Sequence, residues 1–135
     1  MQVIDSVCEA ALGSIIFDFK NSNLVINFEH SSTGNKWKFT ASGVIEYVGW
    51  DFRFTNIVQE IAIYSGLDSS TTEVKELVFG ALKGRAIEND DELSSPRVEE
   101  VLHRIVEGQL KVASLEAVFG SEMIILAERF ELLSL

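Results

Sequence analysis

Ile15-Ile16-Phe17-Asp18-Phe19-Lys20-Asn21-Ser22-Asn23-Leu24-Val25-Ile26-Asn27-Phe28-Glu29 is the stretch that decides the fold class. Ile15, Phe17 and Phe19 alternate with Ile16, Asp18 and Lys20, and Leu24, Ile26 and Phe28 alternate with Val25, Asn27 and Glu29. A period of two puts successive side chains on opposite faces of a strand, so each run gains one apolar face. Asn21, Ser22 and Asn23 are turn formers, and together with the flanking runs they predict a β-hairpin.

The same chemistry continues downstream. A polar loop from His30 to Asn35 leads to Trp37, Phe39 and Ala41 facing one way and Lys36, Lys38 and Thr40 facing the other. Ser42-Gly43 then interrupts the alternation before Val44 to Val48, and a glycine inside a strand pattern predicts a bulge where the sheet curls. Ile57 to Tyr64 fits either a short helix or a strand by spacing, and strand is favoured for Glu60 to Tyr64. The N-terminal half thus reads as an antiparallel sheet of about four to five strands.

Past this half the period changes. Ser70-Thr71-Thr72-Glu73 has the spacing of a capping box, and Val74, Leu77, Val78, Ala81 and Leu82 form an apolar stripe that ends at Gly84. A solvated loop over residues 85 to 94 follows, and Ser95-Pro96 predicts a second helix with Val98, Val101, Leu102, Ile105 and Val106 buried, ended by Gly108. Leu110 and Val112 return to strand chemistry, and Gly120-Ser121 sits between two such runs as a tight turn. Strands, two helices and a C-terminal hairpin make an α+β layout, read as one domain over residues 1–135. An isolated hairpin is marginal in water, so the last two strands are expected to pair with the sheet or pack on the helices. Met123 to Ala127, if it lay at a sheet edge, offers a two-fold pairing surface for a homodimer.

Composition bounds the function. The chain carries 21 acidic and 11 basic residues for a net charge of -10, which repels phosphate backbones and anionic lipid headgroups. Nucleic acid and membrane surfaces are therefore not expected as partners. Residues 86 to 135 hold a net -7 of that charge, so the acidic field concentrates in the C-terminal half, where it suits steering of a basic partner. One cysteine excludes an internal disulfide, and the first residues lack the basic and apolar runs of a secretory signal, which favours a cytoplasmic setting.

Residues that usually carry chemistry are scarce. His30 beside Glu29 has the type of a general base, but a polar loop explains it, and His103 has Glu99 and Glu107 as surface ion partners on its helix. Cys8 lies in Val7-Cys8-Glu9-Ala10-Ala11-Leu12, an apolar, acid-flanked setting that suits an unreactive thiol better than a nucleophile. Asp90, Asp91 and Glu92 are ligand types for calcium or magnesium but are consecutive and lack a central glycine, so no metal or other cofactor is expected. Asp51 and Glu46 bracket Trp50 as a carboxylate pair without a supporting histidine, so a small hydrolase is the weakest reading.

Two functional expectations follow. The first is a non-enzymatic acidic protein that binds a basic protein, in its concrete form a bacterial immunity-type inhibitor of a nuclease toxin, using Asp90, Asp91, Glu92, Glu99 and Glu100. The second is a small-ligand-binding domain with an aromatic-lined cleft built from Trp37, Tyr47 and Trp50, since ten of the 13 aromatic residues fall between Phe17 and Tyr64.

Overall fold

The structure, a computed structural model, describes residues 1–50, 57–117 and 122–135. Its strands are β1 (Gln2–Ile4), β2 (Ala11–Asp18), β3 (Asn23–Glu29), β4 (Lys36–Trp50), β5 (Val58–Tyr64), β6 (Lys111–Ala117) and β7 (Glu122–Ser134). Between β5 and β6 stand the helices α1 (Thr72–Lys83) and α2 (Pro96–Val106), with short 3-10 turns at Leu67–Ser69 and Asp90–Ser94. All seven strands join one sheet in the order β1-β5-β6-β7-β4-β3-β2, each neighbouring pair antiparallel. The α+β class stands, but the sheet has seven strands and not the four to five expected, because the C-terminal hairpin enters its middle. β7 lies between β6 and β4, so Met123 to Ala127 is paired on both sides and offers no edge. The edges belong to β1 and β2.

Alternation explains the first core. Leu24, Ile26 and Phe28 face the same side as Trp37, Phe39 and Ala41, to which they pair directly. Ile61, Ile63, Leu115, Ile125 and Ala127 complete this face, and no helical residue belongs to it. Val7 and Ala10, both fully buried, plug it from the chain preceding β2, where Glu9 N donates to Val58 O at 2.8 Å and Val58 N to Ala10 O at 2.9 Å. The bulge expected near Ser42-Gly43 is present: Gly43 adopts φ 65°, and the β4–β7 register shifts between Val44 and Glu46.

The opposite face of β5, β6 and β7 carries a second core. Ala62, Tyr64, Val112, Ile124 and Leu126 pack beneath Val74 and Val78 of α1 and Val98, Val101 and Ile105 of α2. These three strands are buried on both faces, which is why Ile61-Ala62-Ile63-Tyr64 and Met123 to Ala127 read as unbroken apolar runs.

Helix ends follow local chemistry. Ser95 accepts from Val98 N at 3.4 Å and Pro96 takes the first helical position, as expected, while Gly84 closes α1 at φ 71°. The α1 cap is shifted: Thr71, not Ser70, accepts from Val74 N, at 3.2 Å. Glu73 does not reach back as a capping box requires, because its carboxylate is taken by the Tyr64 hydroxyl. Residues 85–94 are not all solvated loop, since Leu93 is buried in the second core. The edge position of β2 leaves Phe17 exposed, and Phe19, in the turn just past β2, is 87% exposed, although their alternation suggested one apolar face.

Candidate functional site

On the helix-covered face, strand register sets four side chains in one row. Glu60 of β5 stands opposite Glu116 of β6, Glu116 opposite Glu122 of β7, and Glu122 opposite Trp50 of β4. Side chains directly opposite have Cβ atoms ~5 Å apart, where like charges destabilise the pair. The neighbouring row is Ala62, Ser114, Ile124 and Val48, which gives the carboxylates an apolar floor on one side.

Helix α1 forms the opposite wall with Glu73, Glu76, Leu77 and Gly80, and Arg85, Ala86 and Ile87 close the far rim. The cleft, open to solvent on one side, has a volume of ~810 Å3, within the range of small-molecule sites. Gly80 allows the close approach of helix and sheet, since a Cβ there would lie 3.2 Å from Ile124 Cδ1 and 3.5 Å from the Trp50 ring.

Five glutamates thus line one cleft, together with Arg85 and with Met1, whose terminal ammonium lies 3.5 Å from Asp68 Oδ2. Arg85 is already held, with its guanidinium 2.7 Å from Glu92 Oε1 and 5.0 Å above the Phe79 ring. Among the described residues no ion pair reaches Glu60, Glu73, Glu76, Glu116 or Glu122. Burial, and then the charge of Glu116, push the Glu122 carboxyl above its ordinary range. Burial, the hydrogen bond to Glu73 and the charges of Glu73, Glu60 and Glu116 push the Tyr64 hydroxyl up to about 12. Both shifts report an electronegative, partly dry space.

The acids expected to meet a partner have a different fate. Asp90 and Asp91 are exposed in the 3-10 turn at Asp90–Ser94. Glu92 is occupied: it pairs with Arg85 and accepts from Glu88 N at 2.7 Å, and these bonds hold its carboxyl down to about 2. Glu99 lies 3.8 Å from Lys75, and Glu100 lies 3.3 Å from Arg97.

The three aromatics of the alternative reading do not meet. Trp37, 9% exposed, belongs to the first core, and Tyr47 borders that core with its ring 5.2 Å from Phe17. Trp50 lies on the other face and lines the glutamate cleft. Twelve residues of β4 lie between Trp37 and Trp50, a length along the strand of about 40 Å. Tyr64, not singled out from the sequence, is the second aromatic of the cleft. A smaller hollow of ~250 Å3 beside Phe17, Phe19 and Tyr47 is mostly apolar.

The remaining candidates stand apart. His30 Nδ1 is 2.9 Å from Ser32 Oγ in its loop, and His103 is exposed on α2. Cys8 is exposed, contrary to the apolar setting read from its neighbours, because it lies in the turn before β2. Asp51 and the Gly120-Ser121 turn fall outside the described residues, although the strands around that turn pair as expected, Glu116 opposite Glu122. Among the described residues no three carboxylate, histidine or cysteine side chains converge to hold a metal ion, and no helix is long and apolar enough to cross a membrane.

Comparison with protein-family models, with curated proteins and with solved structures finds no match to this chain.

Proposed function

We propose that this chain is a non-enzymatic binding module whose acidic cleft receives a basic group from a partner protein. One observation carries the reading: the row Glu60, Glu116 and Glu122 puts like charges side by side, and no ion pair among the described residues involves any of the three. Such a row costs stability in the free protein, and an incoming cation relieves that cost. The net charge of -10 adds a long-range field that speeds encounter with a basic surface. Asp90 and Asp91 extend this field from the exposed turn, whereas Glu92, Glu99 and Glu100 are already neutralised by Arg85, Lys75 and Arg97.

The concrete form we favour is a bacterial immunity-type inhibitor, in which carboxylates occupy a phosphate-binding surface of a nuclease toxin. A cytoplasmic setting suits this role and suits the single exposed thiol of Cys8. A second reading, a small-ligand-binding domain, draws support from Trp50 and Tyr64 in the same cleft.

Affinity capture from a lysate of the native organism, comparing the wild-type chain with Glu60→Gln/Glu116→Gln/Glu122→Gln, tests the reading. A basic protein released by salt from the wild type and absent from the variant is the expected result. The same proteins held equally by both chains would overturn it.

A further inference from the structure

We infer that the end of the β2–β3 hairpin is a self-association surface. A second copy of this chain docks there about a two-fold axis, with Phe19 and Lys20 of each copy against Phe17, Tyr47 and Glu46 of the other. The surface shares no lining residue with the glutamate cleft, so each copy of the pair keeps its cleft.

An apolar row runs out into solvent here. Register sets Phe17 beside Leu24, Leu24 beside Ala41 and Ala41 beside Phe130 on the first-core face, but Phe17, at the β2 edge, is 43% exposed. Its ring stacks on that of the still more exposed Phe19 at 5.7 Å and meets Tyr47 edge-on at 5.2 Å. Val44 and the exposed Ile45 border the same hollow. Large apolar side chains exposed side by side mark an interaction surface, and aromatic rings are its usual anchors.

Charge selects a second copy as the occupant. Residues 1–50 hold five acidic and three basic residues, so only -2 of the net -10 lies in this part of the chain, and repulsion between copies is weakest there. The charged groups around the hollow have both signs: Asp18 and Glu46 line it, Lys20 follows Phe19 in the turn, and Glu128 and Arg129 stand beside the bulge at Ser42-Gly43. Asp18 is engaged by the Asn21 side chain, which donates to it at 2.8 Å, whereas no ion pair among the described residues involves Lys20 or Glu46. A two-fold axis uses both groups twice, Lys20 of each copy meeting Glu46 of the other around an aromatic centre. A patch of one sign calls for a partner of the other sign; a patch carrying both complements itself. Stable interfaces bury ~800 Å2 per partner, and a few partly exposed rings supply less, so the pair is weak and forms at high concentration.

Sedimentation equilibrium of the whole chain, from about 10 µM to about 1 mM, tests the inference. The wild type is expected to pass from monomer to dimer with a Kd of about 100 µM. Phe19→Ser should stay monomeric throughout, and because Phe19 is exposed its thermal melt should match the wild type. Lys20→Glu and Glu46→Lys should each weaken association about 10-fold. Their equimolar mixture should regain wild-type affinity, since in the mixed pair both cross-contacts again join opposite charges. A wild type that stays monomeric to the highest concentration, a dimer indifferent to Phe19→Ser, or a mixture no tighter than either variant alone overturns the inference. Capture of a foreign protein through Phe19 by a monomeric wild type assigns the surface to another partner and overturns it as well.

Discussion

The Tyr64 hydroxyl donates a 3.0 Å hydrogen bond to Glu73 Oε1, tying the end of β5 to the first turn of α1 at one wall of the glutamate cleft. The bond explains why Glu73 leaves its capping role, and it holds a carboxylate over the sheet. Tyr64→Phe should lower stability by about 1 kcal/mol, read as a urea midpoint shift at constant slope.

The same bond sets an alkaline limit. Burial, Glu73 and the neighbouring charges raise the Tyr64 hydroxyl from its ordinary value of 10 to about 12. The folded state therefore holds this proton more tightly than the unfolded state. Its contribution is complete below pH 10 and lost as pH rises toward 12. Chemical denaturation across that window should show a steeper loss for the wild type than for Tyr64→Phe; equal slopes would contradict the assignment.

Relief of like charge in the row should appear as stability. Glu116→Gln or Glu122→Gln is expected to stabilise the free protein by about 0.5 kcal/mol at neutral pH. Glu122 titrates above its ordinary range in the fold, so its protonated form favours folding and that benefit fades as pH rises through the shifted value. The stability gap between wild type and Glu122→Gln, measured by calorimetry, should therefore narrow toward pH 4.

Close approach of α1 to the sheet depends on Gly80. A leucine there meets Ile124 and the Trp50 ring, and overpacking of this kind costs about 1 to 3 kcal/mol. Gly80→Leu should lower the melting temperature and shift Trp50 emission, a change to be read with Trp37 replaced by phenylalanine.

Removing residues 109–135 deletes β6 and β7, which stand between β5 and β4 and carry both cores. The shortened chain is expected to lose cooperative unfolding, and a sharp melt would contradict the central place of these strands.

Much of this architecture is legible in the chain. Strands with one wet face announce themselves: Leu24, Ile26 and Phe28 alternate because β3 is buried on one side only. Ser95-Pro96 and Gly84 mark helix ends because capping is local chemistry. β5 is ambiguous because both of its faces are covered, which erases the period of two. Phe17 and Phe19 mislead, since alternation reports a face and not whether anything covers it.

The candidate site is hidden for a different reason. Glu60, Glu116 and Glu122 are far apart in sequence and become neighbours only through the register of β5, β6 and β7. Asp90 to Glu92 draw attention as a run, but the fold brings Arg85 to Glu92 and Lys75 to Glu99. The excess of acid was readable, and its unpaired part was not.

The most direct test maps a cationic probe onto the surface by two-dimensional amide NMR, titrating the isotope-labelled chain with a short oligolysine amide at low salt. The account predicts saturable shifts centred on Glu60, Ser114, Glu116, Glu122 and Trp50, abolished when the three row glutamates are changed to glutamine. Shifts centred on residues 90–100 that persist in that variant would contradict it.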